Sequence, residues 1–417
     1  MKHIMLIAGE ASSDFHGACL AREIFAISPE LRITGMGGQA MAEAEVDVVF
    51  GFSDLSAIGI VEVLGKIPLG FKRLEQVVAF LKKEKPDILV MIDFPEFNIR
   101  LGKITSDMGI PSIYYFPPTV WAWRKKRANV IARYFKKVIC AFPFEAEVFR
   151  DAGADVAFFG HPLLDVVKPS KQEEMICTDL YLDPDRQVLG ILPGSRKGEI
   201  KRLLPVMLEA TGKILEKFPS IQPVIVLAPT IEDGEILPYL ESVSFKPTLV
   251  RDCTYDVLSI CRLALIASGT ATLEAAILSV PMVILYKLNW LTYLLGKLLI
   301  RIPFIGLPNI IAGKEVVPEL VQTKASVRNV VKATSMFLEN NLVWTRAKDD
   351  LAEVREKLGS CGATKKAAGV ILEMAMDCEH IPGQTHLNSA RYFPPSTPAS
   401  GGHCRGEPMC SPSCPFF

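Results

Sequence analysis

The chain has 417 residues, 49% of them apolar, with Lys plus Arg and Asp plus Glu balanced at 46 each. That length exceeds what one hydrophobic core organises, so two domains are expected. A net charge of zero lacks the basic excess that phosphate-backbone binding needs, which excludes nucleic acid as the main partner.

The first apolar run, His3 to Ala8, passes straight into Gly9-Glu10. It is too short for a signal-peptide core and reads as a first β-strand. Further strands are predicted at 46–50, 88–92, 112–116, 138–142 and 156–159, then at 188–192, 223–228, 263–267 and 282–286. These runs are near-continuously apolar, as parallel strands covered on both faces should be. Helices are predicted over 16–27, 71–84, 200–217, 271–279, 326–338 and 342–377. Strand–helix alternation of this kind means an α/β fold with two doubly wound, Rossmann-like domains facing a cleft, the GT-B architecture. The expected domains are 1–163, 164–338 and a helical block 339–379 packing back on the first, with a disordered, Pro/Ser/Gly-rich tail over 380–417. The ten cysteines form no CxxC pair and read as reduced thiols of a cytosolic protein; Cys404, Cys410 and Cys414 beside His403 fit no zinc spacing.

Ligands of open α/β sheets bind beyond the carboxyl ends of strands, which selects four loops. Gly9 to Gly17 crowds Glu10, Ser12, Asp14 and His16 at the end of the first strand. Asp14 has a plainer reading as a helix cap, and His16 one as a structural residue. Asp93 ends an apolar strand, where a buried carboxylate needs a partner or a task. It is the candidate base for taking a proton from a hydroxyl acceptor, or else the cap of the next helix. Pro193 to Glu199 follows the strand 188–192 and brings a Gly-Ser turn with Arg196, suited to a phosphate but equally to a solvated turn. Ser268, Gly269 and Thr270 open the next helix in the manner of a diphosphate seat, with Glu274 one turn in, placed for the hydroxyls of a ribose or simply to complement the helix dipole. GxGxxG is absent, which argues against NAD and FAD.

Two apolar stretches interrupt this pattern. In 288–306, Leu291, Leu294, Leu295, Leu298 and Ile302 form one helical stripe flanked by Trp290, Lys297 and Arg301, and 55–71 is a second such stretch. Each suits either a core helix or a membrane surface; Lys297, Arg301 and Pro303 rule against a spanning helix in the first.

Taken together and in order, the first-strand loop, Asp93 to Asn98, Trp121 to Arg124, Gly160-His161-Pro162, Leu192 to Arg196, Ser268 to Glu274 and Leu307 to Gly313 resemble the lipid-A-disaccharide synthases, over residue 1 to about 378. The resemblance implies an inverting hexosyltransferase that joins UDP-2,3-diacylglucosamine to 2,3-diacylglucosamine 1-phosphate with release of UDP. It implies no metal or other cofactor, and a cytoplasmic enzyme peripheral on the inner membrane of a Gram-negative bacterium. On the family pattern Arg196, Ser268, Gly269, Thr270, Glu274 and Asn309 hold UDP. Asp93 and Asn98 lie at the acceptor with Glu10, Ser12, Asp14, His16 and Trp123, and Leu291, Leu294, Leu298 and Ile302 face lipid. The oligomeric state is left open, a homodimer being one option. Ser13 replaces a usual Gly and Pro118 a usual Ser; were the backbone left-handed at 13, the serine would cost about 1 kcal/mol of strain. A soluble UDP-N-acetylglucosamine 2-epimerase of the same fold and a non-catalytic sugar-nucleotide binder are the alternatives.

Overall fold

The computed structural model describes residues 1–52, 60–118, 126–288 and 303–377. Strands β1 (His3–Ala8), β2 (Arg32–Gly37), β3 (Asp47–Gly51), β4 (Ile88–Ile92), β5 (Ser112–Tyr115), β6 (Lys137–Ile139) and β7 (Val156–Ala157) line up in the order β3-β2-β1-β4-β5-β6-β7. A second sheet holds β8 (Gln187–Leu192), β9 (Ile221–Leu227), β10 (Thr248–Arg251), β11 (Cys261–Ala267), β12 (Met282–Tyr286) and β13 (Glu319–Val321), ordered β10-β9-β8-β11-β12-β13. The pairings of β1 with β2 and β4, and of β8 with β9 and β11, are parallel. The α/β expectation holds. Every residue of β1 and β4 is buried, which is why both read as unbroken apolar runs.

The second sheet shows how that burial is built. Along β11, Ala264 and Ile266 enter one apolar layer, while Leu263, Leu265 and Ala267 enter the layer on the opposite face. Successive side chains of a strand point to opposite faces, so a strand covered twice must be apolar at every position. Truncating Leu265, fully buried, would cost about 2–5 kcal/mol.

By contact density the chain divides into two compact units, Met1–Ser112 with the chain from Gly369 onward, and Ile113–Ala368. The helix predicted over 342–377 is two helices. It is broken at Gly359 and Gly362, both with positive φ, into helices Asn341–Lys357 and Ala363–Asp377. From Gly369 onward the last helix groups with Met1–Ser112, and the first of the two lies within the other unit. Its Leu351 and Val354, with Leu358, join the layer that contains Leu273, Ile277 and Ile311, because helices Thr270–Ile277 and Leu307–Ala312 present the apolar face its own stripe needs.

Among the described residues three strands are not predicted by the sequence. In β2 the sequence Arg-Ile-Thr-Gly-Met-Gly lacks an apolar run because Met41 packs against it: a Cβ at Gly35 would fall 2.6 Å from Met41 Cε, and one at Gly37 2.6 Å from Met41 Sδ. Strands β10 and β13 are short sheet edges with weaker apolar demand. The first helix starts at Ala11 rather than 16, so most of the loop read as 9–17 is the opening turns of helix Ala11–Ile27. Of the apolar stretch 55–71, residues 55–59 lie outside the described residues and the remainder enters helix Ile60–Glu84. The tail 380–417 also lies outside them. No described helix is long and apolar enough to cross a membrane.

The segment after β7 is fastened to the far end of the same unit. Gly160 has φ +110°, and a Cβ there would meet Ser360 O at 2.5 Å; a Cβ on Gly359 would meet Gly160 Cα at 2.9 Å. Two backbones cross where no side chain fits. The His161 N–H donates to Leu358 O at 2.8 Å, and His161 Nδ1 accepts from the Leu163 N–H at 3.1 Å.

Candidate active site

Each sheet has one place where the strand order reverses direction, between β1 and β4 in the first and between β8 and β11 in the second. Loops leaving adjacent strands there diverge and open a crevice at the carboxyl ends. The four loops singled out in the sequence are those that follow β1, β4, β8 and β11.

At the β1/β4 crevice, Asp93 and Phe94 both take the left-handed region, each with φ 47°. Such residues cost on the order of 1–3 kcal/mol apiece and persist only when their surroundings impose them. Here the buried Asn98 imposes them: its Nδ2 donates to Asp93 O at 2.6 Å and to Ile92 O at 3.3 Å. Opposite, the ring of Phe94 lies where a side chain on Gly9 would be, with Cγ 2.1 Å from an added Cβ. The N-cap of the following helix is Phe94, with Pro95 behind it, so Asp93 stands one residue before the cap position. The capping alternative for Asp93 therefore falls.

Although Asp93 as a residue is half-buried, its carboxyl is withdrawn from water, and that burial is the main reason its pKa is pushed up to about 7. The neighbouring Glu10 carboxylate raises it further, by its charge and by a hydrogen bond. Burial alone holds the His16 imidazole down to about 4, so it is neutral at pH 7 and stands edge-on to the Phe15 ring, with centroids 5.7 Å apart. Two other residues of this loop have structural employment. Asp14 does not cap its own helix; its carboxylate accepts from the N–H groups of Gly38 at 2.7 Å, Ala40 at 3.0 Å and Met41 at 3.3 Å, capping helix Gln39–Glu43. Ser13, buried inside a regular helix, accepts from the Gly9 and Glu10 N–H groups at 3.1 and 3.0 Å and donates to Glu10 O at 2.8 Å. Its backbone is not left-handed, so the strain that such a backbone would bring does not arise. Ser12 is exposed on the same first turn.

The β8/β11 crevice is built differently. Gly194 has φ +114°, and the Glu199 carboxylate fills the space a Cβ would need, accepting from the Ser195 N–H at 3.1 Å. Arg196 is exposed, held to Glu199 only at 3.5 Å. Across from it Ser268, Gly269 and Thr270 open helix Thr270–Ile277, with Thr270 exposed and, among the described residues, nothing beyond its own chain neighbours within 4 Å of where a Gly269 Cβ would stand. The Thr272 hydroxyl donates to Gly269 O at 2.7 Å and steadies the turn. Glu274 is half-buried, and burial raises its carboxyl pKa while a hydrogen bond from the Tyr255 hydroxyl at 3.3 Å opposes the rise. Half-buried Lys287 beyond β12 adds a cation whose pKa burial lowers.

Asn309 is fully committed elsewhere. Its Nδ2 donates to Val317 O at 2.8 Å and Glu319 Oε1 at 2.7 Å, and its Oδ1 accepts from the N–H groups of Val316 at 2.8 Å and Val317 at 3.1 Å. A buried amide with both donors and its acceptor engaged supports the loop rather than offering a hand to a ligand. Trp123, Leu291, Leu294, Leu298 and Ile302 lie outside the described residues. Nothing in the structure explains Pro118. Tyr255 and Lys287 were missed in the sequence because neither sits in a patterned loop. Among the described residues no three His, Cys, Asp or Glu side chains gather as a metal site would.

The family model described as lipid-A-disaccharide synthetase matches residues 4–372. The chain is similar to the lipid-A-disaccharide synthase of Geobacter sulfurreducens, 42% identical over 374 residues that cover 89% of this chain and 97% of that one. To the lipid-A-disaccharide synthase of Nitrosococcus oceani it is 38% identical over 371 residues, 89% and 96% of the two chains. Among solved structures, the UDP-GlcNAc 2-epimerase of Neisseria meningitidis bound to UDP-GlcNAc is similar with a TM-score of 0.62 at 13% identity, covering 89% of this chain and all of that one (100%). The calicheamicin glycosyltransferase is similar with a TM-score of 0.59 at 14% identity, covering 90% and 99%. At those identities the likeness is one of fold, and the epimerase alternative has no closer support.

Proposed function

The chain belongs to the lipid-A-disaccharide synthetase family and is a glycosyltransferase of lipid A disaccharide synthesis, acting on a sugar nucleotide and an acceptor; from that premise we propose the substrates, the residues and the place of the reaction. The donor is UDP-2,3-diacylglucosamine and the acceptor 2,3-diacylglucosamine 1-phosphate. The acceptor 6-hydroxyl oxygen attacks the donor's C1 from the face opposite the nucleotide, the C1–O bond to the diphosphate breaks, and UDP leaves with the electron pair. The product is a β(1→6) disaccharide 1-phosphate.

Asp93 takes the hydroxyl proton. The observation that carries this reading is a carboxyl pushed up to about 7 at the β1/β4 crevice, where burial and Glu10 make it a better proton acceptor than an ordinary aspartate near neutral pH. The N–H groups that open helix Thr270–Ile277, together with Arg196, receive the diphosphate charge, so the transfer runs without a metal. Asn98 acts by fixing the Asp93 turn, and Asn309 by supporting the loop at 316–317. The acylated substrates place the enzyme on the cytoplasmic face of the inner membrane of a Gram-negative bacterium, attached through the apolar stripe at 291–302.

Incubation with the two acylated glucosamines, read by mass spectrometry, should yield the disaccharide 1-phosphate and UDP in equal amounts, undiminished by EDTA. UDP release without disaccharide would remove the proposed acceptor, and loss of turnover in EDTA would remove the metal-free transfer.

A further inference from the structure

Tyr255 and Glu274 stand on two helices joined through one strand. Tyr255 lies in the first turn of helix Thr254–Ile260, which runs directly into β11, and β11 feeds helix Thr270–Ile277, which carries Glu274. The Tyr255 hydroxyl reaches Glu274 Oε1 at 3.3 Å. Its ring packs against the apolar layer that contains Leu273 and Ile277. Among the described residues Glu274 Oε2 takes no hydrogen bond. One oxygen of the carboxylate is pinned and the other is left for an incoming donor, at the crevice where Ser268, Gly269 and Thr270 end β11.

We infer that Tyr255 is a positioning residue for the nucleoside end of the sugar nucleotide: by holding Oε1 it fixes the rotamer of Glu274 in which Oε2 receives a ribose hydroxyl. This rests on the reading above that helix Thr270–Ile277 seats the diphosphate, since the ribose adjoins that group and a carboxylate one turn into the helix stands a short step from it. A carboxylate accepts only, and both ribose hydroxyls can donate to it. Without Tyr255 the side chain spreads over several rotamers, and binding must reorder it each time.

The test uses the full chain and two nucleotides, UDP and 2′,3′-dideoxy-UDP, with dissociation constants measured calorimetrically for wild type, Tyr255→Phe and Glu274→Gln. Wild type should prefer UDP. Tyr255→Phe should weaken UDP by roughly three- to tenfold, the size of one lost hydrogen bond, and leave 2′,3′-dideoxy-UDP unchanged, so that the preference shrinks. The unchanged arm also reports that the variant is folded. The Tyr255 hydrogen bond favours the ionised carboxyl, so its removal should move the acid limb of UDP binding to higher pH. A loss equal for both nucleotides, or no loss for either, would overturn the positioning role while leaving the diphosphate seat standing. Wild type that binds neither nucleotide would overturn the seat itself. Glu274→Gln with an undiminished preference would remove the ribose contact and Tyr255's part in it.

Discussion

The two crevices occupy equivalent positions, each at the point where a parallel sheet reverses its strand order, yet their loops do opposite things with polar groups. The loops after β1 and β4 draw charge inward. Two left-handed residues, a buried amide and a glycine under a phenyl ring hold the Asp93 carboxyl beside Glu10, away from water. The loops after β8 and β11 push polarity outward, leaving Arg196, Ser195 and Thr270 exposed around a glycine with open space beside it. Crowding carboxyls raises proton affinity; exposed N–H groups and a guanidinium attract an anion without titrating near neutral pH. One frame thus carries a carboxyl of raised proton affinity in one half and exposed groups that suit an anion in the other, and the division lies in a handful of loop residues.

That contrast is open to attack, and the sharpest stroke is Asp93→Asn. Turnover should fall by about 10²–10⁴-fold, while the dissociation constant for UDP stays as in wild type; unchanged turnover would mean the first crevice does not handle the proton. The same variant has a stability signature. A carboxyl whose folded pKa is raised binds its proton more tightly in the native state, so its contribution is favourable below the ordinary aspartate range and is lost as pH rises through about 7. Asp93→Asn should therefore raise the melting temperature at pH 8 relative to wild type and leave it nearly unaltered at pH 4.

Arg196→Ala probes the opposite half. It should weaken UDP binding by roughly 10- to 100-fold, as loss of hydrogen bonds from a charged donor does, and leave the pH profile of turnover in place. A displaced profile would show the two crevices sharing their titrations. Next in size is Glu10→Gln. The acid limb of kcat, set by Asp93 near pH 7, should move to lower pH because a negative neighbour has gone; a limb that stays put would leave burial as the sole cause. Smallest is the effect expected of replacing Leu294, Leu298 and Ile302 with Ser: the protein should partition less onto anionic lipid vesicles with UDP affinity intact, and unaltered partitioning would detach the apolar stripe from the membrane.

The sequence carried the fold where burial was total. Strands β1, β4 and β11 declare themselves because both faces are covered, whereas β2 was hidden because Gly35 and Gly37 give up their side chains to Met41. The crevices were legible as loops at strand ends, and Asp93 as a carboxylate with nowhere ordinary to go. What the loops do in three dimensions was not legible. Asp14 looks like a cap for its own helix and caps another one; Asn309 looks like a ligand and is wholly engaged by Val316, Val317 and Glu319. Partnerships between residues distant in sequence, such as Tyr255 with Glu274, leave no periodic trace.

The crossing of Gly160 with Gly359 bears on the order in which the molecule is made. A ribosome delivers Gly160 long before Gly359, so this clasp has no second half until nearly all of the second unit has emerged. Up to that moment Leu351, Val354 and Leu358 are also missing, and the apolar faces of helices Thr270–Ile277 and Leu307–Ala312 wait uncovered. Nascent chains in that condition are sticky, and closures over such long sequence distances are slow. The two glycines make the last-synthesised helix of the second unit the piece that seals it.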